Sequence, residues 1–123
     1  MHEAGAIVVT SMPAHIRSAY TAEMSAARTL DSDSGRWEHL ERAHIISQPY
    51  PWPHTRNHFA MLALALRQRD RREALGQIVR VIVAAPGSAL NRYPEGNTGR
   101  TAAGLTTPMQ VPDDLAQILA DRT

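Results

Sequence analysis

ERAHIISQPYPWPHTRNH, residues 41–58, places three prolines between two segments of helical pattern. Proline lacks a backbone N–H and crowds the preceding turn, so one helix ends here and another begins. Polar side chains recur at helical spacing on both sides of the prolines: Glu41, His44 and Gln48 before them, His54 and His58 after them. If the two helices are antiparallel, His44 and His58 lie at the same height, since each is seven positions from Pro51.

Helical periodicity extends outward from this bend. Apolar residues at three- and four-residue steps predict one helix from Pro13 to about Leu30 and a second that ends near Gln48. A third is expected to start at Pro53. A fourth starts at Asp70, where Asp70 and Glu73 have the spacing of a capping box, and is expected to end before Pro86.

The remaining chain contains many Gly, Pro, Asn and Thr residues, and a short last helix begins at Pro112. No segment shows the alternation of a strand. We therefore predict an all-α fold: a compact bundle of about four helices in antiparallel hairpins, with a long irregular loop over about residues 86–112 and a short final helix. Residues 1–11 are expected to be a flexible lead-in, and residues 12–123 a single helical domain.

Composition excludes several classes of function. The 123 residues contain no cysteine, which rules out disulfides and thiolate metal sites. The formal net charge is +1, so the chain lacks the basic excess of a nucleic-acid-binding protein. Residues 4–9 are too short an apolar run for a signal peptide, and no segment is long enough to span a membrane. We expect a cytoplasmic protein.

The histidines around the bend suggest a metal site. His54 and His58 are four residues apart, so in a helix both rings lie on one face within reach of a single ion. His44 adds a third imidazole, and Glu41, three residues before it, adds a carboxylate. Imidazole suits Zn, Ni, Co, Cu or Fe rather than Mg or Ca. The sequence predicts a mononuclear transition-metal site formed by these four residues.

The role of Glu41 stays open at this point. As a fourth ligand it would complete the coordination, whereas as a hydrogen-bond partner it would orient a histidine ring. If one position stays open to water, Glu41 is the candidate general base for hydrolytic or lyase chemistry. Two alternatives involve no metal: Glu41 pairs with Arg42 or Arg56, and His44 is a hydrogen-bonded core residue. Haem held by one histidine is a further alternative.

Other polar residues are candidate ligand-binding groups for a small molecule: Gln48, Gln77, Asn97, Thr98 and Arg100. The two glutamine amides need partners if buried, and either bind a ligand or hold a loop backbone against the helices. The loop over residues 96–100 offers backbone N–H groups and a guanidinium to a carboxylate or phosphate. Its alternative role is a glycine-dependent turn that packs on the bundle.

The helix pairs resemble tetratricopeptide repeats over residues 27–49 and 64–86. Two such units are fewer than the three that a repeat array needs. The resemblance supports antiparallel helical hairpins and supplies the alternative function, a protein-interaction module in which the histidines are structural. A homodimer or a protein partner is compatible with either function.

The sequence contains six short motifs between about residues 40 and 115: Leu40-Glu41-Arg42-Ala43-His44, His54-x3-His58, Glu73-x-x-Gly76-Gln77, Pro86-Gly87-Ser88, Tyr93-Pro94-x-Gly96-Asn97-Thr98-Gly99-Arg100 and Pro108-Met109-x-Val111-Pro112-x-Asp114-Leu115. Their order and spacing resemble a small bacterial family of unknown function, domain of unknown function 3703. The resemblance implies that the histidine cluster and the Asn-Thr loop are typical of that family. It implies no established activity.

Overall fold

Five α-helices make up most of the computed structural model, which describes residues 12–120. They are α1 (Ala14–Thr29), α2 (Asp33–Ser47), α3 (Pro51–Arg67), α4 (Arg71–Ala89) and α5 (Asp113–Ala120), with a 3₁₀ turn at Thr101–Ala103. α1 packs on α2 and α3 packs on α4 as helical hairpins, and α2 lies against α3. The predicted all-α class is confirmed. The predicted lead-in, residues 1–11, lies outside the described residues.

The helix starts follow from local capping chemistry. Ser32 caps α2 by accepting a hydrogen bond from the Gly35 N–H at 3.1 Å, and Asp70 caps α4 by accepting from the Glu73 N–H at 3.0 Å. α3 begins at Pro51 rather than at the predicted Pro53. The first turn of a helix has no intrahelical partner for its N–H groups, so it accommodates both prolines.

Helix α4 continues through Pro86 to Ala89, and the prediction that it ends before Pro86 was wrong. Asn91 terminates it instead in the left-handed conformation, at φ 58°. The N–H groups of Asn91 and Arg92 return to the carbonyls of Ser88 and Gly87 at 3.0 and 2.7 Å, which is a Schellman motif. The irregular loop is correspondingly shorter than predicted. The extra turn keeps Ser88 on the helix, buried against α3.

Two apolar clusters stabilise the bundle. One joins α1, the end of α2 and α5, and includes the fully buried side chains of Ile16, Ile46 and Leu115. The other joins the start of α2 to α3 and α4 around Trp37 and Met61. Truncating a fully buried aliphatic side chain to alanine costs about 2–5 kcal/mol, so these residues dominate the packing. Within residues 12–120, no helix combines the length and apolarity needed to cross a bilayer.

Tyr20→Phe tests the tie between α1 and α3. The Tyr20 hydroxyl donates to the Pro53 carbonyl at 2.8 Å, and burial raises the pKa of Tyr20 to about 12 despite the charge of Arg56. At pH 7 the variant should lose about 1 kcal/mol of stability, measured by urea unfolding.

The stabilities of wild type and Tyr20→Phe should depend differently on pH in alkaline solution. The unfolded chain ionises Tyr20 near pH 10 and the folded protein only near pH 12. Wild type therefore loses stability across that interval through this residue, whereas Tyr20→Phe does not. The stability difference should shrink as the pH rises from 9 to 11.5. A constant difference would show that Tyr20 ionises equally easily in both states.

Candidate metal centre

Three histidine side chains meet inside the bundle. α2 supplies His44, and α3 supplies His54 and His58 from successive turns. Each pair of ring centroids is 4.7 or 4.8 Å apart, and all three residues are buried. Their ligand atoms lie within 4.8 Å of one another. The proline bend thus sets the rings of the two helices against each other, at the height that the sequence predicts.

Each ring is held through its Nδ1 atom by a different part of the protein. His44 Nδ1 lies 2.7 Å from the backbone carbonyl oxygen of Asn97. His54 Nδ1 lies 2.8 Å from the Ser88 hydroxyl. His58 Nδ1 lies 2.7 Å from Oε1 of Gln77. Outer hydrogen bonds of this kind fix the orientation of a histidine ring.

These partners determine where the hydrogens lie. A carbonyl oxygen only accepts, so His44 Nδ1 donates to Asn97. The Ser88 hydroxyl donates to the Gln48 carbonyl, so it accepts from His54. The Gln77 amide nitrogen donates to Glu73 Oε2 and to the Gly99 carbonyl, which leaves its oxygen to accept from His58. In the neutral state, all three rings carry their hydrogen on Nδ1.

The three Nε2 atoms therefore face one another with lone pairs and no hydrogen. His54 Nε2 lies 3.1 Å from Nε2 of His44 and 3.1 Å from Nε2 of His58. Two nitrogens bound tetrahedrally to one ion at about 2.0–2.1 Å are about 3.3 Å apart. Both distances are close to that spacing, and the ligand atoms of all three rings lie within 4.8 Å of one another.

Burial keeps the rings in the neutral form that binds metals. It lowers the pKa of His54 to about 3 and the pKa of His58 to about 4. The pKa of His44 also lies well below its ordinary value, because the ring is buried and because charge on His54 or His58 would repel a proton there. Near neutral pH, protons do not compete for the Nε2 lone pairs.

Glu41, the fourth predicted ligand, lies apart from the three histidines. Its carboxylate accepts a hydrogen bond from Arg100 Nη1 at 3.1 Å. It lines a different cavity, together with Trp37 and Gln68. Burial raises the pKa of Glu41 although Arg100 opposes the shift. In this position the carboxylate of Glu41 is paired with a guanidinium of the loop and not with a histidine ring.

Glu73 is the carboxylate that supports the cluster, through Gln77. Its oxygens accept from Gln77 Nε2, Arg100 Nε and the Thr101 N–H and hydroxyl at 2.8–3.0 Å. Burial acts to raise the pKa of Glu73, but these hydrogen bonds and the charge of Arg100 outweigh it and lower the pKa. The predicted capping box is thus only half formed, since Glu73 points to the loop instead of to the start of α4.

The predicted small-molecule residues mostly hold the loop on the bundle. Gln48 donates to the Pro94 carbonyl at 2.9 Å and accepts from the Gly96 N–H at 3.2 Å. The Asn97 amide donates to three loop carbonyls, of which the Thr107 carbonyl is nearest at 2.7 Å. The Thr98 hydroxyl accepts from the Arg100 N–H at 3.4 Å, and the Arg100 guanidinium lies 3.7 Å from the centre of the Trp37 ring. The loop therefore closes over the histidines.

A cavity of about 750 Å³ opens onto the cluster. The three histidines form part of its wall, together with Arg80 and apolar side chains of α4 and of the loop. Arg80 is 7% exposed. The sequence did not indicate Arg80, and it placed Glu73 in a cap and Glu73 and Ser88 in family motifs without giving either residue a role beside the histidines. The signal was present, because Glu73, Gln77, Arg80, Ala84 and Ser88 recur at helical steps on the buried side of α4.

These features define a class: an all-helical protein in which two hairpins and a loop enclose a cluster of three histidines beside a cavity. The chain belongs to the family described as "Protein of unknown function (DUF3703)", whose model matches residues 14–119. The resemblance to this family noted in the sequence is thereby confirmed. No curated protein and no solved structure matches the chain significantly.

Gly99→Ala tests the contact between the loop and the cluster. Gly99 has φ +84°, and a Cβ atom there would lie 2.6 Å from Cδ2 of His44. The positive φ alone should cost the variant about 1–2 kcal/mol.

The clash with the His44 ring should add at least about 1 kcal/mol, as overpacking does in other protein interiors. Chemical denaturation of wild type and Gly99→Ala measures the total loss of stability. A loss below about 2 kcal/mol would mean that the loop does not lie on the ring.

Proposed function

We propose that the protein binds one divalent transition-metal ion through the Nε2 atoms of His44, His54 and His58. The observation that carries this proposal is the convergence of three lone pairs, with each Nδ1 hydrogen already donated elsewhere. Bare acceptors in contact inside a protein are unfavourable unless a cation or proton satisfies them. Burial disfavours the proton, so a metal ion is the natural occupant.

The ligand set narrows the choice of metal. Neutral imidazoles favour Zn, Co, Ni, Cu or ferrous Fe over Mg and Ca, which prefer oxygen ligands. Three histidines leave at least one coordination position for water or a substrate, as in catalytic rather than structural zinc sites. The adjacent cavity gives that position access to small molecules. We infer a site for metal-dependent binding or catalysis. Glu41 is not assigned as its general base, because Arg100 holds the carboxylate.

The interaction module ranks second as a function. One observation favours it: α4 leaves several large apolar side chains exposed, among them Leu75 and Ile82 at 65% and 69%. Exposed apolar patches can mark contact surfaces. A partner surface does not account for the three buried, mutually facing Nε2 atoms, whereas a metal ion does. The metal proposal therefore explains more of the structure.

A cobalt titration tests the metal site directly. Protein produced without a polyhistidine tag should bind one Co²⁺ per chain and develop the visible absorption of nitrogen-coordinated, low-symmetry Co²⁺. His54→Ala/His58→Ala should lose this absorption and the associated thermal stabilisation. Free Zn²⁺ at 100 times its dissociation constant should stabilise wild type by about 2.7 kcal/mol.

His15→Ala is the control for that titration. His15 is exposed on α1, so its removal should leave the stoichiometry and spectrum of Co²⁺ unchanged. If wild type bound Co²⁺ no better than the double variant, with both proteins folded, the three imidazoles would not be a metal site.

Ser88→Ala tests the orientation of His54. The Ser88 hydroxyl accepts from His54 Nδ1, and loss of such a partner costs about 10–100-fold in metal affinity. Ser47→Ala is the matched control, because Ser47 is also buried but its hydroxyl, within residues 12–120, hydrogen-bonds only to the His44 backbone carbonyl, at 3.3 Å. Competition with a chromophoric chelator measures both affinities. Equal Zn²⁺ affinity in the two variants would exclude a role for Ser88 at the site.

A further inference from the structure

Arg80 is a buried cation that has no carboxylate partner among residues 12–120. Only 7% of the residue is exposed, and no acidic group of residues 12–120 lies within ion-pair distance of it. In that part of the chain its guanidinium makes a single hydrogen bond, from Nη1 to the Gly76 carbonyl at 3.1 Å. A guanidinium carries five N–H donors. Arg80 therefore keeps most of its hydrogen-bonding capacity for something else.

The N–H groups of Arg80 that make no hydrogen bond are available to a ligand in the cavity beside the histidines. Arg80 lines the same cavity as His44, His54 and His58. A metal ion on the Nε2 atoms and the guanidinium of Arg80 would thus face one shared space.

Charge balance requires an anion in that space once a metal is bound. Three carboxylates have to be counted: Glu41 and Glu73, which are both engaged by Arg100, and Glu95, which is exposed and lines the cavity together with the exposed Arg92. With Arg80, Arg92 and Arg100 they sum to zero, so a divalent ion on neutral histidines leaves a local charge of +2. Uncompensated charge in a partly buried site is costly, and a charged ligand compensates it.

The residues that line the cavity indicate which kind of molecule carries the anionic group. Side chains of α4 and the loop that line the cavity are mostly apolar, including Ile82, Val83, Leu90 and Leu105. Each of these four remains at least 40% exposed. The volume, about 750 Å³, is in the usual range for small-molecule sites. An apolar body would cover these side chains while a charged head sits at the base of the cavity.

We propose that the cavity binds a small organic anion, with a carboxylate or similar oxyanion head placed between the metal ion and Arg80 and an apolar body lying along α4. The inference rests on the proposed metal function and names its class of ligand. The planar guanidinium suits an oxyanion because two of its N–H groups can engage two oxygens at once. Arg80 is a ligand-binding residue in this assignment and not a metal ligand.

Hexanoate binding to the Co²⁺-loaded protein tests the assignment. Hexanoate should change the visible Co²⁺ spectrum saturably, because its carboxylate enters the coordination sphere. Acetate, which has the head without the body, should bind at least about tenfold more weakly, since burying each CH₂ contributes about 0.8 kcal/mol. 1-Hexanol, which has the body without the charge, should not reproduce the spectral change.

Arg80→Gln should bind one Co²⁺ per chain as wild type does, yet bind hexanoate about 10–100-fold more weakly, the loss expected for a charge-assisted hydrogen bond. Arg80→Lys keeps the charge without the planar fork and should lose part of that affinity; it also serves if the glutamine variant fails to fold. Arg92→Gln is the control, because Arg92 lines the cavity but is exposed, and it should change hexanoate affinity by less than about threefold.

The outcomes separate the two proposals. No Co²⁺ binding by wild type would overturn the metal function, and this inference with it. One bound Co²⁺ with a spectrum insensitive to hexanoate would overturn only the organic-anion assignment. Hexanoate affinity that is equal in wild type and in folded Arg80→Gln and Arg80→Lys would overturn the role of Arg80.

Discussion

Three imidazole nitrogens with lone pairs and no hydrogens face one another inside this protein, and the surrounding structure serves to hold them there. The arrangement opposes folding on its own, because the rings are desolvated and their acceptors have no donors. It is maintained by one hydrogen bond at each Nδ1: from His44 to the loop, and from His54 and His58 to side chains of α4. The α2–α3 bend, helix α4 and the loop are thereby fixed relative to a single point.

A network of charged residues beside the histidine rings positions the loop. Glu73 accepts hydrogen bonds from Gln77, Thr101 and Arg100. Arg100 also pairs with Glu41 and lies against the face of the Trp37 ring. Carboxylates that neutralise Arg100 are no longer available to a metal ion. The site is therefore left with neutral nitrogen ligands and an adjacent cation, Arg80. If the cluster binds a metal ion as we propose, this distribution of charge favours an anionic partner for it. It also distinguishes the cluster from the carboxylate-rich di-iron bundles.

The sequence predicted the features that depend on periodicity and on proline. Helical spacing identified the helices, and the prolines at 49, 51 and 53 placed His44 opposite His58, as the structure shows. Features that depend on contacts between residues far apart in the chain could not be predicted from the sequence. A backbone carbonyl, such as that of Asn97, has no sequence signature as a histidine partner. Glu41 was assigned by its spacing to His44, which cannot reveal that Arg100, 59 residues away, takes its carboxylate. Pro86 was predicted to end α4, but the helix continues through it to Ala89.

Anomalous diffraction at the zinc absorption edge, from crystals of tag-free protein grown with Zn²⁺, tests the central claim most directly. We expect one anomalous peak inside each chain, about 2.0–2.1 Å from Nε2 of His44, His54 and His58, while Glu41 remains paired with Arg100. The absence of a peak between the three rings, or coordination through an Nδ1 atom with the outer hydrogen bonds broken, would contradict it.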